Sequence, residues 1–427
     1  MTATVAGKHR TGLSGWASSG RSDWLPALRY CGGVYLVIRV ALFLLSAAAW
    51  GLATEHPSVT PFGTYPTITN GWHNIITGWN KQDANWFLEI ARDGYSDTNG
   101  SAAFYPAYPL LIRIVGFLFL GHQLPAAYVV SNGALVAALV ILYRLTEREF
   151  GTDFARRSVL YLAVFPTAFF LFDTYSEALF LLAAVGAFYL ARSGRWGWAG
   201  LTAVVAALTR SMGVVVALAL AVEAVHQAIE ERRGQVAAPD RTGLLARTAL
   251  FPRTSLFPRT ALRLGASALP LAAILGYLLF WQLRYHDWSR PLRLEKVFWE
   301  RQFSMPWATL WHGLTDAVSQ GPVGNDAWWT LDFVLVAAAV LLGIWVAVRT
   351  RPIYAVYTWA SILVFLSEAV PGRPLASDPR YLVTLFPLMW PLAFIGRRPQ
   401  VHEAIVGLSA ASMGIVAWLF LVTTNVF

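Results

Sequence analysis

Charge is scarce in this chain. Only 13% of its 427 residues are Asp, Glu, Lys or Arg, about half the share carried by an ordinary soluble domain. Cysteine is nearly absent as well. Cys31 stands alone, so neither a disulfide framework nor a cysteine-rich zinc site can form within the chain. Lysine is confined to Lys8, Lys81 and Lys296, and arginine supplies the rest of the 33 basic residues. The eight histidines include no pair at metal-ligand spacing. No phosphate-binding glycine loop, dinucleotide fingerprint or nucleophile elbow is present, so nothing points to a soluble nucleotide donor.

What the chain has instead is apolar surface. Residues of the AVILMFWYC set make up 56% of it and the mean hydropathy is +0.49, which excludes disorder. Apolar runs of about 18–21 residues recur, each long enough to cross a bilayer as a helix. The pattern predicts an all-α polytopic membrane protein, one integral membrane domain over 1–427. About eleven spans are expected, at 33–53, 125–143, 158–172, 176–191, 196–209, 212–229, 264–283, 328–348, 353–370, 381–395 and 403–422. The net charge of +9 invites comparison with nucleic-acid binders, but the arginines fall in short clusters between apolar runs. Such clusters orient a membrane protein, and no nucleic-acid partner is expected. The first 29 residues lack the short apolar core and cleavage site of a secretory signal, so the first run is expected to be a retained signal-anchor helix.

Topology turns on the run 104–120, which contains Pro106, Pro109 and Arg113. With that run lying along the interface and residues 1–32 as a cytoplasmic tail, about twice as many Lys and Arg fall on the inner side as on the outer, as the positive-inside bias requires. Residues 54–124 then form a large first extracytoplasmic loop carrying interfacial helices. Residues 230–263 form a basic cytoplasmic loop with a short internal echo (Arg247 to Leu264), read as a linker near anionic lipid. Residues 284–327 form a second large extracytoplasmic loop, whose Trp288, Trp299, Trp307 and Trp311 suit a headgroup-level belt or a groove for a chain or sugar. Asn99-Gly100-Ser101 matches a glycan acceptor sequon.

Four places have the residue types for chemistry. The first loop holds a polar constellation around Asp83, with Trp79, Lys81, Asn85 and Trp86 beside it. From 83 to 92 the pattern is helical, with Trp86, Ile90 and Ala91 expected to press on the membrane. Asp83 either caps this helix or acts as a base at the water–lipid boundary. Glu89, Asp93 and Asp97 read as solvated carboxylates. The second place is the turn around Asp173, Ser176 and Glu177. Ser176 with Glu177 looks like a helix start, and Glu177 is alternatively placed to line a cavity. The third is Arg210, an ionisable group between two short spans that calls for a carboxylate or phosphate partner. The fourth groups Glu368, Arg373, Asp378, Arg380 and Tyr381, which either form internal salt bridges or hold a lipid phosphate through the planar arginine fork.

The stretches 82–95, 103–116, 165–182, 194–216 and 377–390 together resemble the PIG-V-type mannosyltransferases, integral membrane glycosyltransferases of the GT-C class. The resemblance covers the N-terminal half well and the C-terminal half thinly. Gln82 stands where the family motif commonly has Trp before the aspartate. The resemblance implies a GT-C-like bundle and a transferase that uses a polyprenyl-phosphate mannose donor, with an inverting mechanism and an extracytoplasmic active site. The acceptor would be a lipid or a glycan, and membrane lipids would surround the site. It makes Asp83 the catalytic base and places Glu177, Arg210 and Arg380 about the substrate and the donor phosphate; Lys81, Asn85 and Tyr381, from the polar groups above, are expected to bind there too. No cofactor is expected, and metal dependence stays open. The preference for Ala and for Arg over Lys points to a bacterial plasma membrane. Two other classes remain: a transporter or lipid flippase, for which Arg39 and Glu223 are the span residues to inspect, and a non-catalytic subunit of a glycan-assembly complex.

Overall fold

A computed structural model describes residues 24–52, 74–237, 256–298, 300–319 and 327–422. Most of the tail expected to be cytoplasmic, the start of the expected first loop, the core of the basic loop with most of its echo, Trp299 and the end of the expected second loop lie outside the described residues. The described chain is mainly helical. Among the described residues, six helices are long and apolar enough to cross a membrane: Leu25–Leu52, Gln123–Phe150, Gly213–Arg233, Pro258–Tyr285, Trp328–Arg349 and Pro399–Val422. Their outward faces carry exposed Leu, Val, Ile and Phe, among them Val37, Leu275, Leu341 and Leu408. Such surface is at home in lipid and unfavourable in water. This is an integral membrane protein.

At the centre the helix Glu177–Arg192 is buried on nearly every side, as suits one that is apolar all round. It packs between Gln123–Phe150 and Trp196–Thr209. Small residues allow the close approach: a side chain added at Gly186 would meet the Thr202 methyl at 3.2 Å.

Two expected spans are broken, and proline explains both. The run 158–172 is helical over Thr152–Ala163, turns ahead of Pro166 and resumes only over Phe169–Phe172. A proline disfavours helical backbone in the residue before it and lacks the N–H to continue the ladder. The run 381–395 divides into Asp378–Leu382, a tight turn Phe386–Leu388 with Pro387, and Met389–Ile395. A third departure is smaller. The run 353–370 ends as a helix at Leu366, and Glu368–Ala369 pairs antiparallel with Gln302–Phe303, Gln302 opposite Ala369 and Phe303 opposite Glu368. These breaks matter because polar residues sit on them.

The run 104–120 forms the helix Ala107–Gly116 and a turn Phe117–Phe119. Ten helical residues reach about 15 Å, half of the hydrocarbon thickness. The preceding helix Asp83–Asp93 corrects an expectation. Ile90 and Ala91 do not face lipid but are buried with Ala84 and Phe87, and Trp86 stacks on Phe104 at 5.8 Å. The cover is the neighbouring helix: Phe87 meets the Tyr108 ring edge-on at 4.9 Å. An amphipathic helix buries its apolar stripe on whatever is nearest, and here that is protein. Asn99 is engaged locally, donating to Glu89 Oε1 at 2.8 Å and accepting from the Ser101 N–H at 3.0 Å.

Both span residues singled out for transport have protein partners. Glu223 pairs with Arg192 at 3.2 Å and Arg351 at 3.3 Å at the ends of the helices, and Arg39 donates to the Phe172 carbonyl at 2.9 Å.

Candidate active site

The broken helices bring four distant pieces of sequence to one cleft. Asp83 is the first residue of its helix and does not cap it. The capping position falls on Gln82, whose side chain makes no cap hydrogen bond. Gln82 has φ of 50°, a backbone that non-glycine residues adopt at a cost of about 1–3 kcal/mol. That turn aims the Asp83 carboxylate away from the loop, where Arg380 Nη2 donates to its Oδ2. Arg380 comes from the short helix Asp378–Leu382, made short by the prolines around it.

Glu177 opens the central helix after the Pro166 break and is fully buried. Its Oε1 forms ion pairs with Arg380 Nε and Arg210 Nη1, each at 2.6 Å. Arg210 follows the end of Trp196–Thr209, and its guanidinium lies 4.4 Å from the centre of the Tyr381 ring. Tyr381 is ringed by cations. Arg301 donates to its hydroxyl at 2.8 Å, and Arg380 lies 5.3 Å from its centroid. Such cation–π contacts contribute about 0.5–2 kcal/mol each and orient the guanidinium planes.

Asp83, Arg210, Arg301, Glu368, Arg380 and Tyr381 line the cleft. Phe87, Phe104, Phe180 and Phe365 form its apolar walls. Glu177 does not line it but lies beneath, holding two arginines from below, so it positions cations and does not touch what the cleft binds. Glu177 Oε2 is buried with no hydrogen-bond partner among the described residues.

Two expected site residues face elsewhere. Lys81 donates to the carbonyls of Phe420 and Leu421 at 2.9 and 2.7 Å, at the end of the last helix. Burial pushes its amine down to about 8, against the favourable field of Asp173. Asn85 exchanges hydrogen bonds with Asn80, at 2.8 Å for the side-chain pair. Spacing alone puts Lys81 and Asn85 near Asp83, but the unusual turn at Gln82 separates Lys81 from it, and Asn85, two residues along the same helix, falls about 200° round the axis. They clamp the base of the loop: the Tyr175 hydroxyl donates to the Lys81 carbonyl at 2.7 Å. Asp173 lies in the same region, and burial raises its carboxyl to about 7. Arg373 resolves as an internal pair with Asp332 at 2.7 Å.

Arg301 is the functional-site candidate that sequence reasoning missed. It enters because Gln302–Phe303 pairs with Glu368–Ala369, which sets Arg301 against Glu368 at 2.8 Å. A two-residue strand leaves no periodic signal in a sequence. Among the described residues no three His, Cys, Asp or Glu side chains converge. The cleft's carboxylates are matched to arginines.

Residues 37–237 match the family model for mannosyltransferases of the PIG-V type. That stretch contains Asp83, Glu177 and Arg210 and ends before Arg301, Arg380 and Tyr381. Among solved structures, ArnT from Cupriavidus metallidurans in the apo state is 15% identical with a TM-score of 0.45, covering 86% of this chain and 61% of that protein. The same protein bound to undecaprenyl phosphate is 12% identical with a TM-score of 0.45, covering 88% and 63%. The oligosaccharyltransferase of Archaeoglobus fulgidus with zinc and sulfate is 14% identical with a TM-score of 0.41, covering 91% and 53%. The chain therefore spans less than two thirds of the length of these proteins. No curated protein matches it.

Proposed function

Starting from the PIG-V mannosyltransferase match over residues 37–237, we propose that this protein is a membrane-embedded, inverting glycosyltransferase. It moves a mannosyl unit from a polyprenyl-phosphate mannose to a lipid- or glycan-linked acceptor, on the extracytoplasmic face of a bacterial plasma membrane. The observation that carries the reading is the meeting of Asp83 with Arg380 at one cleft, beside Arg210 and above Glu177, from segments 297 residues apart. A carboxylate base beside clustered guanidinium groups is what transfer from a sugar phosphate needs.

The chemistry follows from these groups. An acceptor hydroxyl attacks the anomeric carbon and forms the new C–O bond while the bond from that carbon to the phosphate oxygen breaks on the opposite side. Asp83 takes the hydroxyl proton. The lipid phosphate leaves with its electron pair, and Arg380, Arg210 and Arg301 stabilise the charge it gains. One base suffices because phosphate needs no proton to depart. Arg380 exchanges Asp83 for the phosphate when the donor arrives, which frees the base as the substrate is seated. The outward face is supported by the positive-inside count of the sequence.

The test is direct. Purified protein is incubated with labelled polyprenyl-phosphate mannose and a membrane lipid extract, and the labelled product is identified. Label on a lipid or glycan is expected. A folded preparation that transfers none to any component of the extract overturns the reading and favours a non-catalytic subunit.

A further inference from the structure

A long trough runs down the lipid-facing side of the molecule, apart from the reaction cleft. It holds about 830 Å³ between the helices Leu25–Leu52 and Gln123–Phe150, and none of its lining residues lines the cleft. Leu28 and Val129 on its rim are exposed, as are Leu36 and Val37 beside it, so the trough opens to the bilayer. On the first helix it follows one stripe, from Leu28 through Tyr35 to Arg39. That stretch rises about 16 Å, close to the depth of one leaflet. On the second helix its floor includes Gly133, where an added side chain would meet nothing within 4 Å. Protein does not fill this floor.

The two ends of the trough differ. Leu28, Val140 and Ile141 make one end apolar, whereas Arg39, Tyr128 and Asn132 make the other polar. Most of the polar groups there are satisfied within the protein. The Tyr35 hydroxyl donates to Asn132 Oδ1 at 3.0 Å, Asn132 donates to the Tyr128 carbonyl at 2.8 Å, and the Tyr128 hydroxyl donates to the Ile76 carbonyl at 2.7 Å. Arg39 is the exception. Its Nη1 donates to the Phe172 carbonyl at 2.9 Å and its guanidinium lies 5.4 Å from the centre of the Tyr128 ring, but among the described residues it forms no ion pair. Asp173 lies near enough for Arg39 to favour its ionised form, yet burial raises that carboxyl to about 7, so it offsets the cation only in part. A cation inside a span, on a side open to lipid, is costly until an anion meets it.

We propose that this trough binds one anionic membrane phospholipid, its phosphate held by Arg39 and an acyl chain laid across Gly133 towards Leu28. The site is separate from the transferase reading and stands without it. Charge complementarity fixes the headgroup. The guanidinium fork matches phosphate oxygens, and the described lining has no carboxylate to hold the ammonium of a zwitterionic lipid. Length and surface fix the chain, since an apolar channel about one leaflet deep buries an acyl chain and leaves a soluble phosphate nothing to gain from it.

The test counts bound lipid. Delipidated protein in a mild detergent is titrated with phosphatidylglycerol and followed by native mass spectrometry. The wild type is expected to hold one tightly bound molecule. Arg39→Gln, which removes the cation, and Gly133→Leu, which fills the floor, are each expected to weaken it by about tenfold or more, the scale of one charge-assisted hydrogen bond or a blocked chain. Gly133→Leu keeps Arg39 with its carbonyl bond and puts a better helix former in place of glycine, so it reports even where Arg39→Gln fails to fold. Affinity in Gly133→Leu equal to the wild type overturns the proposal. Competition identifies the occupant. Excess phosphatidylcholine and inorganic phosphate are expected to displace little of the bound lipid; displacement by phosphatidylcholine as readily as by phosphatidylglycerol overturns the headgroup assignment, and displacement by inorganic phosphate overturns the role of the chain. Undecaprenyl phosphate that competes as well as phosphatidylglycerol overturns the phospholipid itself. Phosphatidylglycerol with a diazirine midway along one chain is expected to label 28–39 and 129–141, and label confined to other segments overturns the placement.

Discussion

Asp83 and Arg380 form one ion pair, yet their substitutions should fail in opposite ways. Arg380 has a side chain only 5% exposed and holds both Asp83 and the fully buried Glu177. Arg380→Gln leaves Asp83 without that cation and Glu177 with Arg210 alone. Removing one partner from a buried ionic cluster costs about 3–5 kcal/mol, because the remaining charge stays desolvated. Asp83→Asn is milder. Asp83 is more exposed, at 14%, the amide keeps an oxygen for Arg380 Nη2, and both contacts to Glu177 survive. Its cost to stability is expected near 1 kcal/mol, the scale of one hydrogen bond weakened from ionic to neutral. For turnover the order reverses in kind. Loss of a general base lowers kcat by about 10²–10⁴-fold, whatever the fold retains. Thermal unfolding in one detergent, followed by tryptophan fluorescence, and mannosyl transfer at saturating donor measure the two effects. The expected result is an Asp83→Asn protein that unfolds close to the wild type and transfers at most about one hundredth as fast. Transfer within tenfold of wild type removes Asp83 from the chemistry. A loss of stability as large as that of Arg380→Gln makes the pair a structural bridge and refutes the assignment.

Three further outcomes follow from the same geometry. Gln82→Val should lower the unfolding midpoint and turnover together, since a β-branched residue tolerates a φ of 50° poorly, whereas Gln82→Gly should leave the midpoint equal or higher; matched thermal scans decide. At Gly213 an added methyl would meet the Ala207 backbone at 2.1 Å, so Gly213→Ala should cost about 1–3 kcal/mol and displace Arg210, read as a raised KM for the donor along with the lower midpoint. Asp173 is raised by burial to about 7 from an ordinary 3.8, so the folded state keeps a proton that the unfolded chain has lost and stability falls as pH rises through that window. Asp173→Asn removes this dependence. The midpoint of the variant minus that of the wild type should therefore grow between about pH 5 and 7.5, and a difference that is flat or shrinks counts against the burial argument.

The degree to which the sequence announced all this differs from element to element, for physical reasons. Long helices were legible because an apolar run of spanning length has few other solutions in a bilayer, and the boundaries of Leu25–Leu52, Trp196–Thr209 and Pro399–Val422 lie within a few residues or one or two turns of the expected ones. The broken runs were written in the chain as well, in Pro166, Pro379 and Pro387, but hydropathy averages over a proline and so hides the break. Asp83 stood out within the polar constellation of the first loop, and Glu177, Arg210 and Arg380 as charged residues beside apolar runs, where a charge is costly without a partner. That those four would be one another's partners required the fold. Lys81 and Asn85 show the limit of spacing arguments: each is two residues from Asp83 in sequence, yet Lys81 lies across a backbone turn at Gln82 that no propensity favours and Asn85 faces Asn80 from another side of the helix.

Arg301 carries the argument one step further. It had no motif, no helix face and no neighbour in sequence to commend it, and it reaches the cleft only through two pairs of strand residues, Gln302 with Ala369 and Phe303 with Glu368. With Arg301 included, the polar residues at the cleft and beneath it form three cation–carboxylate partnerships, Arg380 with Asp83, Arg210 with Glu177 and Arg301 with Glu368. A site so balanced has little net field to hold an anion until one carboxylate yields. Glu177 has nowhere to go, being fully buried under two guanidinium groups, so the partners able to yield are the partly exposed ones, Asp83 and Glu368. Binding of a phosphate and liberation of the base are then the same event. The Asp83→Asn protein, which has already surrendered that charge, should bind undecaprenyl phosphate more tightly than the wild type does. Titration calorimetry of the two proteins checks this, and equal or weaker affinity in the variant would show that Arg380 does not change partners when the phosphate arrives.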